Sequence, residues 1–222
     1  TTPPTSAGSY AVVVTVDDPN YVGSTSATLV VQQATAVVTL TPSTLAQTYN
    51  GTARTVTVTT VPAGLANTIT YDGSTTAPVN AGSYAVIATV NDPNYTGTAT
   101  GTLEVQKVTA TVTITQSSCT QTYNGSAKTV TVTTTPVGLA TTVTYNGSAT
   151  APVNAGSYAV VATVNNPNYM GTATATMVVQ KASAVVTITT SSCTQTYNGT
   201  ARTVTVTTSP AGLATTVTYN GS

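Results

Sequence analysis

The sequence has no histidine, no tryptophan and no phenylalanine. It has two cysteines, five cationic and five anionic side chains in 222 residues. Without histidine there is no imidazole to shuttle protons near neutral pH or to ligate a transition metal. Five carboxylates leave little from which to assemble an acid–base pair. Neither an enzyme nor a bound metal or cofactor is therefore expected. Two cysteines cannot build a disulfide framework. Sparse, balanced charge offers no basic face for phosphates, so nucleic acid is not an expected partner. No polybasic or amphipathic stretch suits a membrane surface. The longest apolar runs, such as Ala11-Val12-Val13-Val14, span about four residues, against the ~20 that carry a helix across a bilayer, so no membrane insertion is expected.

Threonine is present in quantity, at about a quarter of the chain, with valine, alanine, serine and glycine supplying much of the rest. Tyrosine, twelve in all, is the one aromatic. β-Branched residues fit a pleated sheet, and threonine covers a solvent face with hydroxyls instead of charge. The order of these residues is periodic. Gln-Thr-Tyr-Asn-Gly begins at Gln47, Gln121 and Gln195, and Ala-Gly-Ser-Tyr at Ala7, Ala81 and Ala155, a constant spacing of 74. Two complete repeats fit, 35–108 and 109–182. The flanks are the C-terminal half of a repeat, 1–34, and the N-terminal half of one, 183–222. A fixed period of this size marks an array of small domains.

Within 35–108, Ala36, Val38 and Leu40 alternate with Val37, Thr39 and Thr41, which predicts a strand. Thr55–Thr59 alternates strictly, with Val56 and Val58 inward. Thr68–Tyr71, Ser83–Val90 and Thr98–Gln106 read as further strands, with Tyr84, Val86, Val90 and Leu103 in the core. Asn50-Gly51 and Asp72-Gly73 are tight-turn signals, and Pro42, Pro62 and Pro93 punctuate the rest. Five to seven short strands, turns every 8–14 residues and no helical period predict an all-β chain, a tandem array of small antiparallel β-sandwich (Ig-like) repeats. A compact β-grasp-like sheet is the alternative. The segment 105–111 passes between repeats without glycine or proline, which predicts a semi-rigid, elongated rod.

The ordered motifs Gln-Thr-Tyr-Asn-Gly-Thr-Ala-Arg, Tyr-Asp-Gly-Ser, Asn-Ala-Gly-Ser-Tyr-Ala-Val and Asn-Asp-Pro-Asn-Tyr-Thr-Gly resemble the MBG/YDG-type repeats of large bacterial surface proteins, within the wider set of bacterial Ig-like modules. The resemblance covers essentially the whole chain. It implies secretion, a place at the cell surface, and a part in a stalk, filament, adhesin or biofilm scaffold. It brings no catalytic residues. The expected partner is the protein itself, as a continuous polymer or as neighbouring copies, with cell-surface or matrix glycans as candidate ligands.

Several residues are candidates for more specific chemistry. Cys119 and Cys193 occupy the position held by Leu45 in the first complete repeat. Equivalent positions in a rod lie on the order of 35–45 Å apart, far beyond disulfide reach, so the two should not pair with each other. Each is either a small apolar replacement for leucine or a site of intermolecular crosslinking; a thioester with Gln121 or Gln195 is a third reading. The acceptor pattern for N-glycosylation occurs at Asn50, Asn94, Asn124, Asn146, Asn198 and Asn220, most of them also Asn-Gly turns. The Asx pairs before Pro19, Pro93 and Pro167 read as turn formers in preference to calcium ligands. The tyrosines read as core anchors whose hydroxyls reach the rim, with a sugar platform as the alternative. An isopeptide crosslink at 54/128/202 would need lysine, and Arg54 and Arg202 stand at two of the three positions; Lys107 and Lys181 are the other candidates. The chain is expected to be one period of a longer polymer. Its rival is non-covalent polymerisation, in which the start of one copy completes the end of the next by strand addition.

Overall fold

The computed structural model describes residues 2–220. Thr1, Gly221 and Ser222 lie outside the described residues, and with them the register expected between the two ends. The chain is all-β, and among the described residues only three short 3-10 turns interrupt the strands. A hairpin of β1 (Gly8–Thr15) and β2 (Ser24–Val31) comes first. The first complete repeat holds β3 (Ala34–Thr35), β4 (Val37–Leu40), β5 (Ala46–Thr48), β6 (Val58–Val61), β7 (Asn67–Tyr71), β8 (Gly82–Val90), β9 (Tyr95–Thr96) and β10 (Thr98–Gln106). The next holds the same eight as β11 (Val108–Thr109), β12 (Thr111–Ile114), β13 (Thr120–Thr122), β14 (Val132–Thr135), β15 (Thr141–Tyr145), β16 (Gly156–Val164), β17 (Tyr169–Met170) and β18 (Thr172–Gln180). A second ribbon, β19 (Val185–Ile188) with β20 (Val206–Ser209), follows.

The chain divides into two compact units. One comprises 1–112, 134–141 and 163–172. Its main sheet runs β5-β10-β8-β7, with β10 antiparallel to β8 and parallel to β5. The β4–β6 ribbon forms the second layer, β4 lying against β8 and β10. The space between is filled by Leu40, Val56, Tyr71, Val86, Ala88, Leu103 and Val105. The other unit comprises 113–133, 142–162 and 173–222. There the order β13-β18-β16-β15 recurs, around Tyr145, Val160, Met177 and Val179. Each repeat is thus a two-layer β structure in which a ribbon faces a mixed sheet.

Two expectations are corrected. The alternation at Thr55–Thr59 does not become a strand until Val58. Side chains take the backbone groups instead: the Val56 N–H donates to Tyr71 Oη (2.9 Å), the Thr57 N–H to Thr44 Oγ1 (3.1 Å), and Thr55 O accepts from Gln47 Nε2 (2.8 Å). Tyr84 is half-buried, not a core residue. Its ring folds over Gly82 and its hydroxyl donates to Asn80 O at 2.9 Å. The buried aromatic is Tyr71. Beyond it, Asp72 (φ 47°) and Gly73 (φ 83°) make the expected Asx-Gly turn, closed by bonds in both directions between Tyr71 and Ser74.

The two complete repeats fill one core position differently. A Cβ on Gly101 would lie 2.7 Å from Leu40 Cδ1, with Leu45 beside it. In the next repeat Ala175 stands at the Gly101 position, and Ile114, Cys119 and Met177 replace Leu40, Leu45 and Leu103. One side chain gains a methyl where its neighbours give way, as volume-conserving repacking requires. Gly101→Ala should cost about 1–3 kcal/mol in chemical denaturation. Adding Leu40→Ile and Leu45→Cys should recover part of the loss; a triple variant weaker than the single one would refute the compensation.

Candidate functional site: the joint between repeats

The Asx-Pro-Asn-Tyr segments both turn the chain and hold successive repeats together. Asp92 Oδ1 accepts from the N–H groups of Asn94 (2.8 Å) and Tyr95 (3.1 Å), fixing a loop that projects the Asn94 side chain. Asn94 Oδ1 then accepts from the Ala7 N–H at 2.8 Å, 87 positions away and in the preceding half-repeat. Asn94 O accepts from the Ala34 N–H (2.8 Å), and β9 pairs in parallel with β3, Ala34 opposite Tyr95 and Thr35 opposite Thr96. Gln33 Nε2 reaches both Asp92 O and Pro93 O at 3.2 Å.

The same joint is built again one period later, within the same compact unit. Asn166 Oδ1 holds the N–H groups of Asn168 and Tyr169. Asn168 Oδ1 accepts from the Ala81 N–H (2.8 Å), and its Nδ2 donates to Asn80 Oδ1 (3.0 Å). Val108 N–H donates to Asn168 O, β11 pairs with β17, and Lys107 Nζ donates to Asn166 O at 3.0 Å. The Tyr169 ring meets Tyr49 of the preceding repeat edge to face, centroids 5.6 Å apart. Glycine after the loop is a matter of space: a Cβ on Gly97 would lie 2.6 Å from Ala36 O, and Gly171 is equally tight against Ala110 O.

The remaining candidates are placed as follows. Cys119 and Cys193 are both free thiols. Cys119 is 1% exposed, in the place Leu45 holds, whereas Cys193 is exposed, so any bond to another chain falls more readily to Cys193. Gln121 Nε2 spans Ser118 O and Thr129 O (both 2.8 Å), and Gln47 does the same in the repeat that has Leu45; the amide braces the backbone whether or not a cysteine is present. Asn50, Asn124 and Asn198 sit in exposed Asx turns, their Oδ1 atoms accepting from Thr52, Ser126 and Thr200. Asn146 (φ 49°) accepts from the Ala159 N–H. Asn220 is described, but the rest of its acceptor triplet is not. Arg54 and Arg202 donate to Thr48 O and Thr196 O. Tyr71 and Tyr145 are core residues whose hydroxyls accept from Val56 and Val130 N–H. Among the described residues no three His, Cys, Asp or Glu side chains come together, and no helix is long and apolar enough to cross a membrane.

Comparison with known proteins adds one result. A family model described as MBG domain matches residues 1–35, 36–109, 110–183 and 186–222. No curated protein and no solved structure matches the chain.

Asn168→Ala removes the acceptor of the Ala81 N–H and should cost about 1–2 kcal/mol at the joint. Amide hydrogen exchange at Ala81 should accelerate, while exchange at Val86 in the core stays slow. Equal acceleration at both would mean that the loop supports the fold of its own repeat and not the joint.

Proposed function

The chain belongs to the MBG domain family, and from that premise we propose that it is the structural repeat region of an extracellular bacterial stalk or filament, with no catalysis of its own. MBG repeats are typical of surface proteins. The observation that carries the reading is the joint. It occurs twice with the same asparagine, the same two-residue pairing and the same close glycine, so successive repeats are tied by bonds that resist swivelling. The linker has no slack: its residues are themselves paired to the loop of the following repeat. The threonine-covered, weakly charged surface suits a part that holds its place outside a cell without gathering ions or nucleic acid.

A second reading, that the repeats themselves grip glycans, draws on exposed tyrosines such as Tyr197. The structural reading is favoured because the loops differ between repeats only by small changes such as Asp72 to Asn146, whereas a dedicated site would break the symmetry.

Single-molecule pulling separates the two. A load-bearing array should unfold its complete repeats one by one, each 74-residue step adding roughly 24–27 nm of contour at ~3.3–3.6 Å per residue. Antibody to the repeats should label intact cells. Saturable binding to immobilised oligosaccharides, with no stepwise resistance to force, would replace the stalk by the adhesin.

A further inference from the structure

Tyr49 and Tyr169 belong to successive repeats and meet at the second joint, their planes crossed at 77°. Both rings are half-buried, and the backbone holds each from its own side. The Tyr49 N–H donates to Gln106 O at 2.9 Å, at the end of β10, and its ring packs against the core of the first complete repeat. The Tyr169 N–H donates to Asn166 Oδ1 at 3.1 Å, and Tyr169 lies opposite Val108 in the β11–β17 ladder. The ring contact is therefore set by the same bonds that set the joint.

The core and rim tyrosines use their hydroxyls on the backbone. Tyr71 and Tyr145 accept from the Val56 and Val130 N–H groups, and Tyr84 and Tyr158 donate to Asn80 O and Asn154 O. Among the described residues, no protein group bonds the hydroxyl of Tyr49 or of Tyr169. An edge-to-face contact is a property of the rings and needs no hydroxyl. What the hydroxyl adds is reactivity: a phenol that gives up one electron and one proton becomes a phenoxyl radical, and such radicals couple through their ortho carbons.

We propose that Tyr49 and Tyr169 form an oxidative crosslinking site. A one-electron oxidant of the peroxidase and hydrogen peroxide class joins the two rings through a carbon–carbon bond and locks the joint. Each phenol loses one electron and its hydroxyl proton. The two radicals couple between one ortho carbon (Cε) of each ring. The hydrogen on each bonded carbon then moves to the oxygen of its own ring, which restores both phenols. The two electrons and two protons reduce one hydrogen peroxide to two waters, and the chain is lighter by two hydrogens. The rings of a biaryl need not be coplanar, so their crossed planes do not obstruct the bond. Rings already held together couple ahead of rings on separate chains, because the joint supplies the encounter. The hydrogen bonds of the joint re-form after each opening; the new bond makes that reversible connection permanent. The site rests on the observed ring pair and does not depend on the stalk reading.

The test treats the dilute 222-residue chain with peroxidase and hydrogen peroxide, after iodoacetamide has capped the exposed Cys193 thiol so that it cannot quench the radicals. A photoexcited ruthenium complex with persulfate serves as a second oxidant, small enough to reach half-buried rings, and free N-acetyltyrosine in a parallel reaction verifies both. The chain should gain dityrosine fluorescence, remain a single chain on a denaturing gel, and yield on digestion a peptide pair joined through Tyr49 and Tyr169. Tyr49→Phe and Tyr169→Phe keep the rings and their packing, and each should abolish that pair. Tyr197→Phe should leave it intact, although Tyr197 is 89% exposed and far easier for an oxidant to reach. In the pulling measurement the crosslink withholds about 120 residues from extension, so the fully unfolded chain should be shorter by roughly 40–43 nm at ~3.3–3.6 Å per residue. No intrachain dityrosine with either oxidant, a product that survives both phenylalanine variants, or a product that maps mainly to Tyr197 would each overturn the proposal. None of these results touches the stalk reading, which its own unfolding steps decide.

Discussion

Backbone amides that no neighbouring strand can reach still need an acceptor, and the architecture of this protein follows from how it meets that need with short polar side chains. The strands are short and the layers small, so many N–H groups fall outside a ladder. Tyr71 Oη, Thr44 Oγ1 and the Asp92 or Asn166 side chain take them one by one. Gln47 and Gln121 serve the converse need, donating to carbonyls that no strand pairs. An unsatisfied buried amide costs about 1–3 kcal/mol, comparable to a large part of what a 74-residue core contributes to stability. The same device builds the joint. Asn94 and Asn168 satisfy an amide of the preceding repeat, so linking two domains requires no chemistry beyond that which stabilises one.

The core obeys a second constraint, fixed volume. With no phenylalanine or tryptophan, the inner faces are built from valine, leucine, alanine and one buried tyrosine per complete repeat, with Met177 and Cys119 added in the second. In so small a space a single methyl matters. Gly101 leaves room for Leu40 and Leu45; Ala175 takes that room where Ile114 and Cys119 release it. Cys119 accordingly needs no explanation in redox chemistry: it is the smaller partner in a packing exchange.

Much of this was legible in the sequence, and the reasons for the rest are specific. The period identified the array. Strands β8 and β10 were predicted to within a residue, because their alternation is long and each has one buried face. The β5 strand was not, since three residues, Ala46–Thr48, are too few to show a period, and its parallel partner lies more than fifty positions away. Thr55–Thr57 alternate like a strand but are held by side chains, which a pattern of apolar and polar residues cannot register. Tyr84 was expected in the core because its face is right; its hydroxyl holds it at the rim. The joint was read as a turn, which it also is. One signal was available. The residue before proline changes between Asp18, Asp92 and Asn166, whereas Asn20, Asn94 and Asn168 after it do not, although either amino acid would serve a turn. A position that stays asparagine where aspartate would suffice for a turn needs the amide, and Asn168 uses both ends of it.

The joint also has a consequence for the medium in which such an array can work. Its bonds are mostly between amides, carbonyls and asparagine side chains; the charged members are Asp92, whose contacts the neutral Asn166 makes one period later, and Lys107, whose position the neutral Gln33 holds at the first joint. Salt weakens attraction between charges by screening, and acid weakens it by discharging carboxylates. A connection made mainly from neutral dipoles, with one charged group at each joint, offers either agent few targets. An assembly joined this way depends little on the salt or the acidity of its surroundings.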